Sequence, residues 1–363
     1  MRTLIVILLS CFMLKSIAQE IPMFVGTYTN KGSQGIYLYM FNMEDGEAVL
    51  YTATAAQDPS FLARSKNGKM LYAVREQDEE TAEVSAYTFD GDLLSFVNSQ
   101  PTKGGAPCHV VVGQKHPLVL ISNYSGGSLA VFKLDENGAL GENIQLIQQE
   151  GQGPDKDRQE ASHVHSAFFS ADEKHVFVQN LGTDRVTIFR VSHEKDQYRL
   201  VEESVISTPP AGGPRHLVLD QKEKNLYVLL EMKAQIAHYT KEEDGWKLVD
   251  TVSINADGFT GENGAAEIKF SPDYKFLYAS NRGDANSIAL FGVEKSGGLI
   301  KKEVYSTQGK GPRNFNISPD GRFLLVANQA TDDIVVFRRD LSSGELEDTG
   351  KNIEVSTPVC IIF

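Results

Sequence analysis

Seven stretches of the chain share one pattern, in which apolar and polar residues alternate and an aromatic residue comes last. These aromatic residues lie 48, 45, 57, 50, 52 and 46 positions apart. Alternation with a period of two predicts β-strands, and a repeat of about 40–50 residues is typical of a four-stranded propeller blade. The seven aromatic residues are Tyr39, Tyr87, Phe132, Phe189, Tyr239, Phe291 and Phe337.

Each repeat also contains the other strands that a blade needs. In one of them, a short strand at 315–317 is followed by a Ser-Pro-Asp-Gly turn at 318–321 and an apolar run of strand length at 323–326, before the aromatic strand at 333–337. A more polar outer strand follows each aromatic strand, as at 246–250. The chain shows no convincing amphipathic helix, so the pattern predicts an all-β fold.

The two ends of the chain predict how the ring closes. Residues 358–363 match the innermost strand of a unit, and residues 23–26 match the second strand. Six internal units and this composite unit make a seven-bladed β-propeller, closed by a blade that the termini share. An open solenoid of seven repeats has no use for a split terminal unit.

The first 18 residues resemble an export signal. Arg2 supplies a positive start, residues 4–14 are apolar apart from one serine, and a small-x-small site ends at Ala18. We expect a signal peptide at 1–18 and one propeller domain at 19–363, with the mature protein periplasmic or secreted. A lipoprotein signal ending at Cys11 is the alternative, but its apolar region would be unusually short.

The net charge limits the classes of molecule that the protein is expected to bind, and the cysteine content limits its disulfides and metal sites. The net charge of −13 disfavours nucleic acid and, after signal removal, an anionic membrane, whereas a small anionic ligand remains possible where a few arginines converge. The mature chain keeps Cys108 and Cys360, which fall in non-neighbouring blades, so we expect two free, buried thiols. No metal-binding spacing is present, and we expect no metal or cofactor, and a monomer or weak homo-oligomer.

Two sets of positions should converge on one mouth of the central channel, because the inner strand starts and the second strand ends at the same face. The first set follows an aligned turn: Ser60, Cys108, His165, Arg215, Ala266, Arg313 and Val359. The second set lies at the ends of the second strands: Tyr28, Glu76, Tyr124, Leu181, Glu231, Arg282 and Gln329.

This collection is rich in ionisable groups where a β-protein interior would be apolar. Consecutive blades contribute His165, Glu231 and the arginines around them, which form a one-sided arc. Convergent polar groups in a concavity favour a ligand site, although a solvated or ion-paired channel would look the same at any single position. Two long loops, 150–162 and 255–264, should reach the same mouth and could cover a substrate.

Several motifs resemble the 6-phosphogluconolactonase branch of the seven-bladed lactonase family, over nearly the whole mature chain. The segments that carry the resemblance are 24–29 (FVGTYT), 123–128 (NYSGGS), 158–165 (RQEASHVH), 213–216 (GPRH), 277–282 (LYASNR) and 311–314 (GPRN). The chain is also similar to the fungal carboxy-muconate lactonizing enzymes. It departs from the common pattern at Ala161 and Ser162, where a proline often stands before the histidine, and we expect this to affect loop stiffness.

The resemblance implies a set of site residues. A His, a Glu and two Arg carry the chemistry in the fungal enzymes, and the matching positions are His165, Glu231, Arg215 and Arg282. Either His165 or Glu231 could be the base that activates water, and the arginines would hold the oxyanion or an anionic group. The candidate substrate-binding residues are Arg313, Gln329, Tyr124, Tyr28, His163 and Arg158, with His163 expected mainly to shape its loop.

These observations predict a lactonase that hydrolyses a sugar lactone. A serine nucleophile is not indicated, because no Gly-x-Ser-x-Gly elbow occurs. An export signal conflicts with the cytoplasmic phosphogluconolactone step, so the phosphorylated substrate is a name that the resemblance supplies. Two alternatives remain: a non-catalytic binding propeller, which predicts an apolar or aromatic rim, and a muconate-type cycloisomerase that uses the same residues for proton transfer.

Overall fold

A computed structural model describes residues 20–195 and 197–363, which form seven four-stranded antiparallel sheets. The predicted seven-bladed, all-β propeller is therefore confirmed. Blade one is β28-β1-β2-β3, blade two is β4 to β7, and each later blade takes the next four strands in chain order. The predicted signal peptide and Cys11 lie outside the described residues.

The inner strands line the central channel, and each second strand pairs with one of them. The inner strands are β4 (Leu62–Arg64), β8 (Pro107–Val112), β12 (Val164–Phe169), β16 (Pro214–Leu219), β20 (Ala265–Phe270), β24 (Pro312–Ile317) and β28 (Pro358–Ile362). The second strands are β1 (Glu20–Thr27), β5 (Met70–Arg75), β9 (Leu118–Asn123), β13 (His175–Asn180), β17 (Asn225–Leu230), β21 (Phe276–Asn281) and β25 (Phe323–Asn328).

The third strands contain the aromatic pattern, and the outer strands are more exposed. The third strands are β2 (Gly35–Asn42), β6 (Glu83–Phe89), β10 (Ser128–Leu134), β14 (Arg185–Glu194), β18 (Gln235–Glu242), β22 (Ser287–Val293) and β26 (Asp333–Arg339). The outer strands are β3 (Ala48–Ala55), β7 (Leu94–Pro101), β11 (Leu140–Gln148), β15 (Gln197–Ser207), β19 (Gly245–Ser253), β23 (Leu299–Ser306) and β27 (Leu346–Glu354).

The composite blade closes the ring as predicted. Strand β28 pairs antiparallel with β1, with Phe24 opposite Ile362 and Val25 opposite Ile361. Seven hydrophobic clusters hold the ring together, and each of them lies between two neighbouring blades. The cluster between blades seven and one, which includes Met23 and Phe323, completes the circle, so no blade leaves an unpacked face.

The pairing register shifts at the repeated aromatic residue in all seven sheets. In blade four, for example, Ile188 pairs with Ser204 but Phe189 pairs with Glu202, so the outer strand carries one extra residue. Such bulges increase local twist, which the outer strands of a propeller blade need. The described residues contain one short 3-10 helix, Leu181–Thr183, and no helix long and apolar enough to cross a bilayer.

Candidate active site

A β-bulge explains how the predicted mouth residues leave the sheet. In blade four, Val164 pairs with Asn180 and Ser166 with Gln179, so His165 lies outside the pairing. An extra residue of this kind re-aims its side chain. The same shift leaves one residue outside the pairing in four further blades: Cys108, Arg215, Arg313 and Val359. In blade six the shift falls between Ala265 and Ile268.

The second set of predicted residues lies where the alignment placed it. Each of these residues directly follows the last residue of a second strand. Glu231 follows β17, Arg282 follows β21 and Tyr28 follows β1. Because these strand ends face the starts of the inner strands, the two sets meet at one mouth.

Glu231 organises the centre of the arc. Its carboxylate accepts a hydrogen bond from Arg158 Nη2 at 2.8 Å through Oε1. Its Oε2 lies 3.0 Å from Arg215 Nε, an ion pair without hydrogen-bond geometry, and 3.2 Å from Arg282 Nη2. Burial alone would raise the pKa of Glu231, but Arg282, Arg215 and Arg158 lower it to about 2. Glu231 is therefore a buried carboxylate that holds three guanidinium groups together.

His165 lies beside this arc as a neutral imidazole. It is 5% exposed, and its Nδ1 lies 3.8 Å from the Sγ of Cys108. Burial lowers the pKa of His165 well below its usual range, and the positive charge of Arg215 lowers it further. Among the contacts of residues 20–195 and 197–363, none joins His165 to Glu231.

Arg313 and Tyr28 form the other side of the mouth. Arg313 Nη2 donates a hydrogen bond to the Tyr28 hydroxyl at 3.0 Å and its guanidinium lies 5.5 Å from the centre of that ring. The Tyr28 hydroxyl in turn donates to Glu76 at 2.8 Å, and Ser60 also donates to this carboxylate. Within the described part of the chain, Arg313 makes no ion pair, so it is a half-buried cation without a bound carboxylate.

Both long loops reach the mouth. The first carries Arg158, whose side chain bonds to Glu231, and His163, whose ring stacks on Tyr124 with centroids 4.5 Å apart. The Nε2 of His163 also lies 3.0 Å from Oε1 of Glu160, three residues earlier in the chain. The second loop reaches Arg282, because the backbone oxygen of Gly264 accepts a hydrogen bond from Arg282 Nε at 2.8 Å.

Not every predicted residue joins the cluster. Gln329 is half-buried, and its backbone N–H donates a hydrogen bond to the backbone oxygen of Gly311 at 2.9 Å. Glu76 stands among the aligned mouth positions but received no role from the sequence. The alignment offered no reason to connect it with Tyr28, since the two residues belong to neighbouring blades and meet only through side-chain geometry.

The cysteines and metal-binding groups add little chemistry. Cys108 and Cys360 are free and buried in blades three and one, as predicted. Burial raises the pKa of the Cys108 thiol, so it stays protonated at neutral pH. Among residues 20–195 and 197–363, no group of three or more His, Cys, Asp or Glu side chains is placed to hold a metal ion.

The fold and the mouth together define a class, a seven-bladed propeller with an arginine-rich site at one end of its channel. The family described as "Lactonase, 7-bladed beta-propeller" matches residues 22–363. The chain belongs to this lactonase family, and the predicted enzyme class, a lactonase hydrolase, is confirmed.

Relatives and solved structures agree with this assignment. A 6-phosphogluconolactonase of Formosa agariphila is 35% identical over 92% of this chain and 97% of its own length. A 6-phosphogluconolactonase of Bacillus subtilis is 34% identical over 94% of this chain and 97% of its own length. The structure of the periplasmic gluconolactonase of Pseudomonas aeruginosa is similar with a TM-score of 0.90 and 31% identity, covering 95% of this chain and 99% of that one.

Proposed function

We propose that this protein hydrolyses a sugar lactone at the mouth, with His165 as the general base and Arg215 and Arg282 as the oxyanion-stabilising groups. The observation that carries the proposal is a buried imidazole, kept neutral by burial and by the nearby charges of Arg215 and Arg282, two guanidinium groups that one carboxylate fixes in place. A neutral imidazole can take a proton near pH 7, and preorganised cations stabilise charge that develops on a carbonyl oxygen.

The contacts favour His165 over Glu231 as the base. Both oxygens of Glu231 already face arginines, so this carboxylate is not placed to take a proton from water. The Nδ1 of His165 lies toward Cys108, which leaves Nε2 as the nitrogen that can receive a proton from water. Glu231 then serves as the residue that holds the arginines.

The reaction proceeds as an acid–base addition and elimination. His165 takes one proton from a water molecule while the water oxygen bonds to the lactone carbonyl carbon, and the carbonyl oxygen becomes an oxyanion beside Arg215 and Arg282. The oxyanion then re-forms the carbonyl group, the bond from the carbonyl carbon to the ring oxygen breaks, and the protonated His165 returns the proton to that oxygen. The product is a hydroxy acid, and no other reactant is consumed.

Arg313 supports an anionic group on the substrate. This cation has no ion pair among the described residues, and its neighbour Tyr28 keeps it directed at the mouth. A small lactone with a carboxylate or phosphate substituent would supply the missing negative charge. Two relatives are named 6-phosphogluconolactonase and one is named a periplasmic gluconolactonase, so both the phosphorylated and the plain sugar lactone are substrates to compare.

Export of the mature chain is part of the proposal. The N-terminal 18 residues have the composition of a signal peptide, and the P. aeruginosa relative is named a periplasmic enzyme. Expression of the full chain and of the chain from Gln19 onward, followed by cell fractionation, tests this. Export of the full chain and retention of the shortened one support it, and retention of both contradicts it.

The activity is tested by the rate of lactone opening on gluconolactone and its 6-phosphate. We expect His165→Ala to lower kcat by about 10²- to 10⁴-fold, because it removes the general base. His116→Ala is the matched control, since His116 lies in the turn after β8 at the opposite face. Unchanged rates in both His165→Ala and Glu231→Gln would contradict the mechanism. Turnover of an unsaturated diacid without lactone opening would instead favour the cycloisomerase.

A further inference from the structure

A second layer of residues, most of them polar, lies directly beneath the mouth. It consists of the residues that follow the first set of mouth positions by one: Phe61, His109, Ser166, His216, Glu267, Asn314 and Cys360. His216, Glu267 and Asn314 are 2%, 3% and 2% exposed. Buried polar and charged groups of this kind need partners, and the partners of these three lead to the active site.

A chain of contacts connects Glu267 with Arg215. Glu267 Oε1 lies 2.9 Å from Nδ1 of His216, and Nε2 of His216 lies 3.4 Å from Nη1 of Arg215. The other oxygen of Glu267 accepts a hydrogen bond from the side-chain amide of Asn314 at 2.5 Å and lies 3.8 Å from Nζ of Lys269. This series of contacts therefore crosses from blade six to blade five and ends at Arg215, a proposed catalytic residue.

The hydrogen-bond donors and acceptors of Glu267, His216 and Arg215 have only one consistent arrangement. Arginine can only donate, so Nε2 of His216 must accept. Burial lowers the pKa of His216, which keeps its ring neutral at pH 7. The single ring proton is then on Nδ1, from which it is donated to Glu267. Glu267 thus selects the one tautomer of His216 that can face Arg215.

Arg215 needs this second support because its first support is shared. Arg215 is 2% exposed, and the nearest carboxylate, that of Glu231, also serves Arg158 and Arg282. Its guanidinium also donates a hydrogen bond to the backbone oxygen of Ala266. A buried cation held in this way depends on every remaining acceptor for its position and its charge balance.

We propose that Glu267 and His216 are positioning residues that hold Arg215 in its catalytic orientation, Glu267 by fixing the tautomer of His216 and His216 by accepting a hydrogen bond from Arg215. The inference rests on the proposed function, because it gives Arg215 a part in lactone hydrolysis. Neither residue belongs to the two sets of side chains that form the mouth.

The first variant is Glu267→Gln. The introduced side-chain amide faces the amide of Asn314, so it turns its oxygen toward Asn314 and offers its NH2 group to His216, which disturbs the tautomer. We expect kcat for lactone opening to fall by roughly 10- to 100-fold with little change in KM, the usual effect of losing an orienting partner. Glu173→Gln is the matched control, because Glu173 is also buried but binds the backbone of residues 114–116 at the opposite face.

The second variant restores the hydrogen bonds with the charge moved. In Glu267→Gln with Asn314→Asp, the new carboxylate accepts from the introduced amide and from the backbone N–H of Ile361, which Asn314 binds at 2.9 Å in the wild type. The oxygen of the introduced amide then faces His216 again. We expect kcat to return to near the wild-type value. A kcat in Glu267→Gln equal to that of wild type, or a folded double variant as slow as the single one, would overturn the proposal.

A spectroscopic readout separates this proposal from the proposed function. In protein labelled with ¹⁵N-histidine, the His216 signal, assigned by its loss in His216→Asn, should report a proton on Nδ1 alone. An Nε2–H tautomer or an imidazolium would overturn the positioning role, even if Glu267→Gln fails to fold. If the wild-type protein opens no lactone while the Nδ1–H signal is present, the proposed function fails and the contact chain stands.

Discussion

Arg158 Nη2 donates a 2.8 Å hydrogen bond to Glu231 Oε1, and the two residues lie 73 positions apart in the chain. This contact ties the loop between β11 and β12 to the buried centre of the mouth. The Arg158 side chain is 47% exposed, whereas that of Glu231 is 8% exposed. Through Arg158, which faces solvent, the loop is therefore bonded to a buried carboxylate at one side of the site.

Replacing Arg158 should weaken the site without unfolding the protein. In Arg158→Ala we expect kcat/KM to fall by roughly fivefold, because the loop loses the contact that positions it against Glu231 at the mouth. The melting temperature should hardly change. Lys156→Ala, a change of an exposed cation on the same loop, is the control. A kcat/KM for Arg158→Ala that matches the control would show that the loop contact does not serve catalysis.

Removing Glu231 should cost stability as well as activity. Glu231→Ala leaves Arg215 and Arg282 without their shared carboxylate in a buried setting, and we expect a loss of about 3–5 kcal/mol in the free energy of unfolding. Urea denaturation measures this. The control is Glu203→Ala, which removes a half-exposed carboxylate beside His175 and should cost about 0–1 kcal/mol. Equal losses of stability in the two variants would contradict the conclusion that Glu231 holds the arginines of the mouth together.

The pH dependence of hydrolysis should reflect the neutral state of His165. Its pKa lies well below 6.5 in the folded protein, and the base works in its deprotonated form. We therefore expect kcat/KM, corrected for spontaneous opening, to remain level from pH 8 to below 6.5 and to fall only at more acid pH. A decline centred at the ordinary histidine pKa would indicate that a solvated histidine is the base.

His109 should make the fold sensitive to mild acid. Its ring lies between Phe61 and Phe168, its Nδ1 is buried without a partner, and burial lowers its pKa well below 6.5. In the unfolded chain this histidine binds a proton below pH 6.5, but in the fold it does not. Its contribution to stability is therefore fully present above pH 6.5 and decreases by up to about 1.4 kcal/mol per pH unit below it.

The variant that tests this is His109→Phe. We expect the free energy of unfolding, measured in urea, to fall less between pH 7.5 and 5.5 in this variant than in wild type, by about 1 kcal/mol. Leu93→Phe, which adds an aromatic ring at an exposed position without changing a titratable group, is the control and should leave the wild-type slope unchanged. An unchanged slope in His109→Phe would show that His109 is protonated within the fold.

The repeat made the propeller, its closure and the mouth predictable from the sequence. Alternation and turn residues locate strands because they act over a few neighbouring positions, and the split unit at 23–26 and 358–363 located the closing blade. The meeting of Tyr28 with Glu76 and of Arg158 with Glu231 was not predictable in the same way. Such contacts depend on how side chains cross between blades and on the path of a long loop.

The layer beneath the mouth was within reach of the sequence. Glu267 and Asn314 follow aligned mouth positions by one residue, and polar residues at matched positions of several inner strands are a usable signal. The tautomer of His216 was not predictable from the sequence, because it depends on the distances between Glu267, His216 and Arg215.

The bulges at the start of the inner strands make the mouth unusually easy to change. Because His165, Arg215 and Arg313 lie outside the pairing, their side chains take no part in the strand register or in the hydrophobic clusters between the blades. The residues that determine the fold of the ring are therefore different from the residues that determine which ligand binds at its mouth. Related proteins can diverge in substrate by exchanging a few bulge residues, and a protein engineer can vary the same positions on an unchanged scaffold.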